Sequence, residues 1–304
     1  MKEILRITIG LTISCLIAAL VMGFVFTITD AAKRHNEHQN VQETMLGLLG
    51  YDAAHPKPSD LNLYTIYRYI IGEGDKQYLG YLVPVVEQGK TQHELLIIDL
   101  EGNFVDRIPI PLTQDEAVET SNRDKALGEA LSHSRTFTYA DSTVIATRGH
   151  KRRAYILTDE FPGFKTFVKV MLALKPNFEI LGLEIMEHEE DPGLGGEIEE
   201  PYFKNQFRGK TFEDIKALKV VKKPLPEEYR KVLEYTKGKG QSLSKDEVRE
   251  IQAKYRNKEI YAITGATISS RAVTNGVKNI VKKFAYRLKI LDSVIQGQDI
   301  PVTF

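Results

Sequence analysis

A run of small and hydroxyl-bearing residues, Thr264-Gly265-Ala266-Thr267, stands directly before the strongest helical pattern of the sequence, and Ile268-Ser269-Ser270 follows it. Small side chains let backbone N–H groups approach a ligand closely. The N-terminus of a helix offers free N–H groups and roughly half a positive charge, and the neighbouring hydroxyls add donors. The spacing therefore favours an anion such as phosphate, although an ordinary helix start capped by hydroxyls explains the same residues more simply.

Two elements must position this run. Before it, Tyr261-Ala262-Ile263 predicts a short strand. After it, apolar residues recur at helical spacing, which predicts one apolar face of an amphipathic helix. We expect this helix to begin near Ser269 or Ser270, because serine is a good N-cap residue. The apolar positions are Val273, Val277, Ile280, Val281, Phe284 and Leu288.

A second candidate segment is the loop from Glu187 to Pro201, which is rich in Glu, Gly and Pro. It contains His188-Glu189-Glu190-Asp191-Pro192-Gly193-Leu194-Gly195, whose Pro-Gly-Leu-Gly end is, on its own, typical of a surface turn. The clustered carboxylates of this loop are more typical of a solvated face than of a cation site. The sequence indicates no nucleophile–base pair, so we predict neither a catalytic residue nor a metal site.

The run from Thr264 to Ser270 resembles the flavinylation motif of FMN-binding domains of the RnfG and NqrC type, which occur in Rnf complexes and in Na⁺-translocating NADH:quinone oxidoreductase. The resemblance implies that the Thr267 hydroxyl is esterified to the phosphate of FMN. It also implies a flavin transferase that takes the FMN moiety from FAD. The family motif has Asp three residues before its first Ser or Thr, where this chain has Tyr261.

The His188–Gly195 segment is similar to the family's His-x-Glu-Thr-Pro-Gly-Leu-Gly loop, which packs on the flavin; Asp191 stands where the family has Thr. The run Phe203–Lys210 also matches the family. With this resemblance, we expect Leu194 to lie on the flavin ring. From its chemistry, the Glu190 carboxylate can hold the loop by accepting backbone N–H bonds, and His188 is either a flavin neighbour or the end of a strand. The cofactor-binding residues that we predict beside Thr267 are Thr264, Gly265, Ala266, Ser269, Ser270, His188, Glu190, Gly193, Leu194 and Gly195, with Thr264, Ser269 and Ser270 bonding the phosphate.

The composition excludes several classes of function. The 41 Lys and Arg residues balance 41 Asp and Glu residues, whereas a nucleic-acid-binding protein usually has a basic surplus. Cys15 is the single cysteine of the sequence, which excludes an intrachain disulfide and a site built from several cysteines. We therefore predict no nucleic-acid partner.

The segment Ile7–Ile28 contains no charged residue and is long enough for the ~30 Å hydrocarbon core of a membrane. A cleaved signal peptide usually has a shorter apolar region, so we favour an uncleaved anchor. Basic residues flank the segment on both sides and do not fix its orientation. The resemblance implies a single-pass protein of the cytoplasmic (inner) membrane whose soluble part is extracytoplasmic, or periplasmic.

The fold class that we predict is α+β: a single N-terminal transmembrane helix followed by an extracytoplasmic antiparallel-sheet domain or domains with flanking helices, as in FMN-binding domains. We assign residues 1–30 to the anchor, 31–60 to a stalk or linker and 61–153 to a strand-rich accessory region. Residues 154–304 form the FMN-binding domain, with a charged insertion at 224–258 whose pattern indicates two solvated helices joined by Lys237-Gly238-Lys239-Gly240. Tyr78–Asp99 and Thr166–Glu187 share a strand–turn–strand order, which two ordinary hairpins explain better than a degenerate repeat.

The function that we predict is electron relay through covalent FMN in an ion-translocating ferredoxin:NAD⁺ oxidoreductase of the Rnf type, without substrate turnover by this chain alone. Its partners are then the other membrane and soluble subunits, the flavin transferase and the membrane. Three alternatives stay open: an NqrC-like component of the quinone-reducing relative, a stand-alone anchored FMN carrier, and a non-redox membrane scaffold without flavin.

Overall fold

The structure is a computed structural model that describes residues 2–87, 89–131, 134–149, 151–234, 244–255 and 259–304. The chain divides into two compact units, Met1–Gly47 and Leu48–Phe304. The first unit consists of helix α1, which spans Lys2–Leu48. The predicted stalk therefore begins as a continuation of the anchor helix and ends in the loop before the sheet.

Within α1, Arg6–Phe26 is long and apolar enough to cross a membrane, by length and composition. Its hydroxyl groups are bonded inside the helix, since Thr8, Thr12 and Ser14 each donate to the carbonyl oxygen four residues earlier at 2.9 Å. A hydroxyl satisfied in this way costs less in hydrocarbon than a free one.

The second unit is built on one antiparallel sheet of eight strands in the order β4-β3-β2-β1-β5-β6-β7-β8. Strands β1 to β4 form one meander and β5 to β8 form another, and β1 pairs with β5 in the centre. The strands are β1 Leu61–Glu73, β2 Lys76–Glu87, β3 Lys90–Ile98, β4 Phe104–Ile110, β5 Arg135–Arg148, β6 Lys151–Pro162, β7 Phe167–Leu174 and β8 Ile180–Glu187.

This sheet does not follow the division that we predicted between residues 153 and 154. That position lies inside β6, and the strands on both sides belong to one compact unit. The hairpins that we compared, β2–β3 and β7–β8, are not at equivalent positions, because the arrangement of the sheet relates β2–β3 to β6–β7. The symmetry lies in the strand order and not in the sequence similarity that we noted.

Helices cover both faces of the sheet. Helix α7, Thr267–Gly297, packs its apolar face on strands from both meanders. Helix α2, Thr120–Ala130, covers the other face of the first meander. There the buried Arg123 donates to the Tyr69 hydroxyl at 3.1 Å and lies 4.0 Å from the centre of the Tyr67 ring.

Short elements connect β8 to α7. They are α3 Pro201–Lys204, α4 Phe212–Ala217, β9 Val220–Val221, α5 Glu227–Leu233, α6 Lys245–Tyr255 and β10 Ile260–Tyr261, where β9 and β10 pair in parallel. The charged insertion thus contains two helices, as its pattern predicted. The run Lys237-Gly238-Lys239-Gly240, which we expected to join them, lies outside the described residues.

The register of the strands shows which turns and loops lie at each end of the sheet. The β6–β7 turn, residues 163–166, lies at the end where β8 stops at Glu187, and we call this the site end. Strand β1 begins at Leu61, beside Arg148 at the last position of β5, and therefore at the opposite end. The chain enters this unit at that opposite end and brings the His188 loop and the β6–β7 turn together at the site end.

Helix α7 approaches the sheet most closely at Gly276. A Cβ atom at this position would lie 2.2–2.4 Å from carbon atoms of the Phe161 ring. In Gly276→Ala the helix propensity gains about 1 kcal/mol, whereas the overpacking costs about 1–3 kcal/mol or more. We expect a net loss of stability in denaturant unfolding of the detergent-solubilised chain. Gly128→Ala in α2, where nothing lies within 4 Å, is the matched control and should be neutral or stabilising; equal effects of the two changes would contradict the close approach.

Candidate functional site

The Thr264–Thr267 run forms a tight turn that leads directly into α7. Gly265 has a φ of +79°, a conformation that favours glycine, and the Ala266 N–H donates to the Ile263 carbonyl at 3.0 Å. Helix α7 begins at Thr267, so our prediction of a start near Ser269 or Ser270 was wrong by two to three residues. The N-cap position belongs to Ala266, whose side chain provides no capping bond.

The two serines have other partners than the phosphate that we predicted. Ser270 is fully buried; its Oγ accepts from the Ile263 N–H at 3.0 Å and donates to the Ala266 carbonyl at 2.9 Å. Ser269 is also buried and donates to Glu190 Oε2. Both hydroxyls thus stabilise the turn from inside, while Thr264 is exposed and Thr267 is partly exposed.

The Glu190 carboxylate joins the two candidate segments. Glu190 is only 5% exposed. One oxygen accepts from the Phe164 N–H at 2.6 Å and the Lys165 N–H at 3.3 Å, and the other accepts from Ser269 Oγ. A buried carboxylate needs such donors, so the His188 loop, the β6–β7 turn and the first turn of α7 are held at one point.

Glycines leave the space that this carboxylate occupies. A Cβ atom at Gly195 would lie 2.5 Å from Glu190 Oε2, and one at Gly163 would lie 2.6 Å from Glu190 Oε1. The Leu194 side chain extends over the turn, since a Cβ atom at Gly265 would lie 3.0 Å from Leu194 Cδ2. The two segments that the sequence singled out, 69 or more residues apart along the chain, are therefore in contact.

His188 supports the loop from the end of β8. Its Nδ1 accepts from the Glu190 N–H at 3.0 Å, and its Nε2 bonds Glu199. Because Nδ1 is an acceptor, the proton of the neutral ring belongs on Nε2, which then donates to the carboxylate. Nearby, Asp191 bonds the Lys165 ammonium and holds the pKa of that lysine above its ordinary value.

Tyr261, which stands at the family's Asp position, is held through its backbone. Its N–H donates to Gln206 Oε1 at 2.8 Å, and its carbonyl accepts from Gln206 Nε2 at 3.2 Å. Its ring contacts Tyr229 of α5 at 6.4 Å between ring centres, and Tyr229 stacks on Tyr255 of α6 at 4.6 Å. The charged insertion is thus packed against the strand that precedes the turn.

Sequence reasoning missed the β6–β7 turn, and it gave no role to Gln206, which lies in the matching run Phe203–Lys210. Phe164 is 56% exposed beside the Glu190 carboxylate, and it joins Leu194 (49%) and Ile268 (58%) as the exposed apolar side chains of these three segments; we call them the apolar rim. The pair Gly163-Phe164 between two β-rich runs was a visible turn signal. Nothing in the sequence connects it to a carboxylate 26 residues away.

Comparison with known proteins agrees with this geometry. Residues 163–282, from the β6–β7 turn through most of α7, match the FMN-binding domain family. These residues make up less than half of the chain, and they are similar to FMN-binding domains. The matched range includes both segments that resembled the family, and it begins at Gly163, nine residues after the predicted start at Ala154.

Two relatives belong to electron-transfer complexes by name. Over 138 residues the chain is 30% identical to the G subunit of a proton-translocating ferredoxin:NAD(+) oxidoreductase complex from Clostridium ljungdahlii, covering 45% of this chain and 57% of the relative. Over 60 residues it is 35% identical to the G subunit of an ion-translocating oxidoreductase complex from Pasteurella multocida, covering 19% and 30%. The chain spans less than two thirds of either relative. These matches confirm the resemblance to the RnfG type that the motifs indicated.

Two solved structures show a weaker likeness. NqrC from Shewanella oneidensis is 18% identical with a TM-score of 0.33, covering 48% of this chain and 57% of that one. The corresponding component of the Na(+)-translocating NADH-quinone reductase from Parabacteroides distasonis is 19% identical with a TM-score of 0.32, covering 64% and 74%. Scores of this size are too low to identify a shared fold.

The contact between Glu190 and Ser269 can be measured by a double-mutant cycle. We expect Glu190→Ala and Ser269→Ala to couple by about 1–3 kcal/mol in the free energy of unfolding, because the bond is buried and its acceptor is charged. The exposed pair Thr113 and Glu116, whose hydroxyl and carboxylate are 2.8 Å apart, is the control and should couple by less than about 0.5 kcal/mol. Equal coupling in both cycles would show that the buried bond between Glu190 and Ser269 stabilises the fold no more than an exposed one.

Proposed function

We propose that this domain carries FMN as a phosphoester of Thr267. The observation that supports the proposal best is the place of this hydroxyl: it lies on the first residue of a 31-residue helix, is partly exposed, and follows a turn of small residues. The family match supplies the identity of the cofactor. A phosphate on Thr267 would lie within the positive field of the α7 N-terminus.

The protein groups around Thr267 fit a phosphate. Ala266 does not cap α7 with its side chain, so the N–H groups of the first turn keep their capacity to donate to an anion. Gly265 and Ala266 have no bulk that would obstruct an approach, and the exposed Thr264 hydroxyl is a further donor. Because Ser269 and Ser270 are bonded inside the turn, we assign them the role of holding it and not a phosphate contact.

The ring system of FMN would lie against the apolar rim of Phe164, Leu194 and Ile268. Aromatic and aliphatic side chains stabilise a flat ring by dispersion and by excluding water. Gly193 and Gly195 leave the backbone of the loop accessible on either side of Leu194. In this proposal His188 and Glu190 act by fixing the loop, through the bonds described above, and not by contacting the ring.

We further propose that the chain is the electron-carrying, RnfG-type component of an ion-translocating Rnf complex. FMN supplies the redox chemistry, and the protein supplies its attachment and surroundings. The chain would have no turnover alone, would be anchored through α1 with its soluble part outside the cytoplasm, and would require the other subunits and a flavin transferase as partners. The names of the relatives support this assignment, and an ester would retain the cofactor in a compartment where free FMN is scarce.

The attachment residue is tested by peptide mapping of the denatured protein, produced together with a flavin transferase. We expect flavin fluorescence to stay with the unfolded polypeptide, and the peptide that contains Thr267 to gain the mass of FMN less one water. Thr267→Ala should lose this flavin completely, whereas Thr264→Ala should retain it because its hydroxyl forms no ester. Flavin that stays bound to denatured Thr267→Ala, or washes off the parent protein, contradicts the proposal.

Membership of a complex is a separate expectation. When native membranes are solubilised in mild detergent, an affinity-tagged chain should purify with several multi-span membrane proteins in fixed ratio. Thr267→Ala should purify with the same proteins, since the site end carries the flavin and the change leaves the fold intact. A flavin-loaded chain that purifies alone would support the stand-alone carrier, and a chain that purifies alone without flavin would support the scaffold.

A further inference from the structure

A charged cluster away from the flavin site connects α7 to the sheet. Asp141 on β5 accepts from Arg68 Nε on β1 at 3.0 Å and bonds the same guanidinium through Nη2. The same carboxylate accepts from Arg287 Nη1 on α7 at 3.0 Å. Two guanidinium groups therefore share one carboxylate, and the cluster carries one excess positive charge.

Tyr81 on β2 faces this cluster without a partner. Tyr81 is only 5% exposed. Its hydroxyl is one of three buried side-chain polar atoms that have no hydrogen-bond partner in the described part of the chain. Burial raises the pKa of Tyr81 and the nearby guanidiniums of Arg68 and Arg287 lower it, with a net rise, so the hydroxyl is protonated at neutral pH. A buried hydroxyl without a partner costs about 1–3 kcal/mol, so a ligand that accepts its proton would be stabilised here.

These groups line a cavity of about 30 Å³ between α7 and the sheet. Arg68, Arg287, Tyr81, Asp141 and Thr143 form its polar part, and the other lining residues are apolar. About 10–15 Å³ is enough for one water-sized species. The cavity is therefore large enough for a small ion or one water molecule.

The chemistry of the cavity favours an acceptor over a water molecule. Asp141, the carboxylate of the lining, already accepts from both arginines, and the hydroxyl of Tyr81 and the remaining guanidinium N–H groups are donors. A water molecule could also bond these groups, since the Tyr81 and Thr143 hydroxyls accept as well as donate, but it would leave the excess positive charge of the cluster without a counter-charge. Asp159 also raises the pKa of Arg68, yet it is not among the residues that line the cavity.

We propose that this cavity is a binding site for a monovalent anion of about the size of chloride. The anion would accept from the Tyr81 hydroxyl and from guanidinium N–H groups of Arg68 and Arg287, and it would balance the excess positive charge. Because β1, β2, β5 and α7 all contribute to the site, the bound anion would strengthen the attachment of α7 to the sheet.

The test is the midpoint of thermal unfolding of the detergent-solubilised full chain, in chloride solutions made up to constant ionic strength with gluconate. We expect the midpoint to rise by about 3–5 °C for each tenfold increase in chloride above the Kd. In Tyr81→Phe the rise should begin only at chloride concentrations about tenfold higher, because one hydrogen bond to the anion is lost. Bromide should act like chloride in both proteins.

Two controls separate the anion site from general salt effects. Tyr286→Phe changes an exposed tyrosine on α7 and should follow the parent protein in every solution. In gluconate alone, Tyr81→Phe should be at least as stable as the parent, because it removes a buried hydroxyl without a partner. The proposal is overturned if the parent does not respond to chloride, as expected of a cavity that holds water only, if Tyr81→Phe responds identically, or if sulfate produces the same Tyr81-dependent rise.

Discussion

The candidate site depends on one buried carboxylate. Burying the charge of Glu190 is costly unless donors surround it, and those donors come from the β6–β7 turn and from Ser269 on α7. Once these bonds form, three segments distant in sequence have fixed positions relative to one another. The glycines at 163 and 195 follow from the same constraint, because a side chain at either position would occupy the space of the carboxylate oxygens.

Helix α7 transmits this constraint through the whole unit. Its first turn is bonded to Glu190, its middle lies against Phe161 at Gly276, and its second half is joined to the sheet by Arg287 and by the bond between Asp292 and Arg152. This 31-residue helix is therefore held to the rest of the unit at several points along its length, and a site on a helix is positioned more precisely than a site on a loop. The proposed attachment hydroxyl, on Thr267, thus belongs to a helix. The loop beside it depends on the bonds of Glu190 and His188 for its shape.

Local sequence patterns predicted the elements of the fold well, and failed where long-range contacts decide the outcome. The apolar face of α7 follows from helical periodicity, the strands of both meanders follow from β-rich runs between turn signals, and the two helices of the insertion follow from its charge pattern. The helix start was misplaced because serine is usually a cap, whereas Ser270 bonds the preceding turn instead. The boundary at residue 153 failed because the pairing of β1 with β5 joins the two meanders into one sheet. Gln206 and the β6–β7 turn gained importance only through contacts with residues 55 and 26 positions away.

The shape of the site also explains why a covalent bond suits the proposed cofactor. The three side chains of the apolar rim keep about half of their surface exposed, so a flavin on them would bury mainly one face. Noncovalent ligand sites usually enclose most of the ligand in a concave pocket, and a shallow site gives less buried area to offset the loss of translational freedom. An ester at Thr267 removes that loss, because it makes ring binding an intramolecular event with a high effective concentration. Weak contacts with the rim would then be enough to orient the ring, and its other face would stay accessible to an electron-transfer partner.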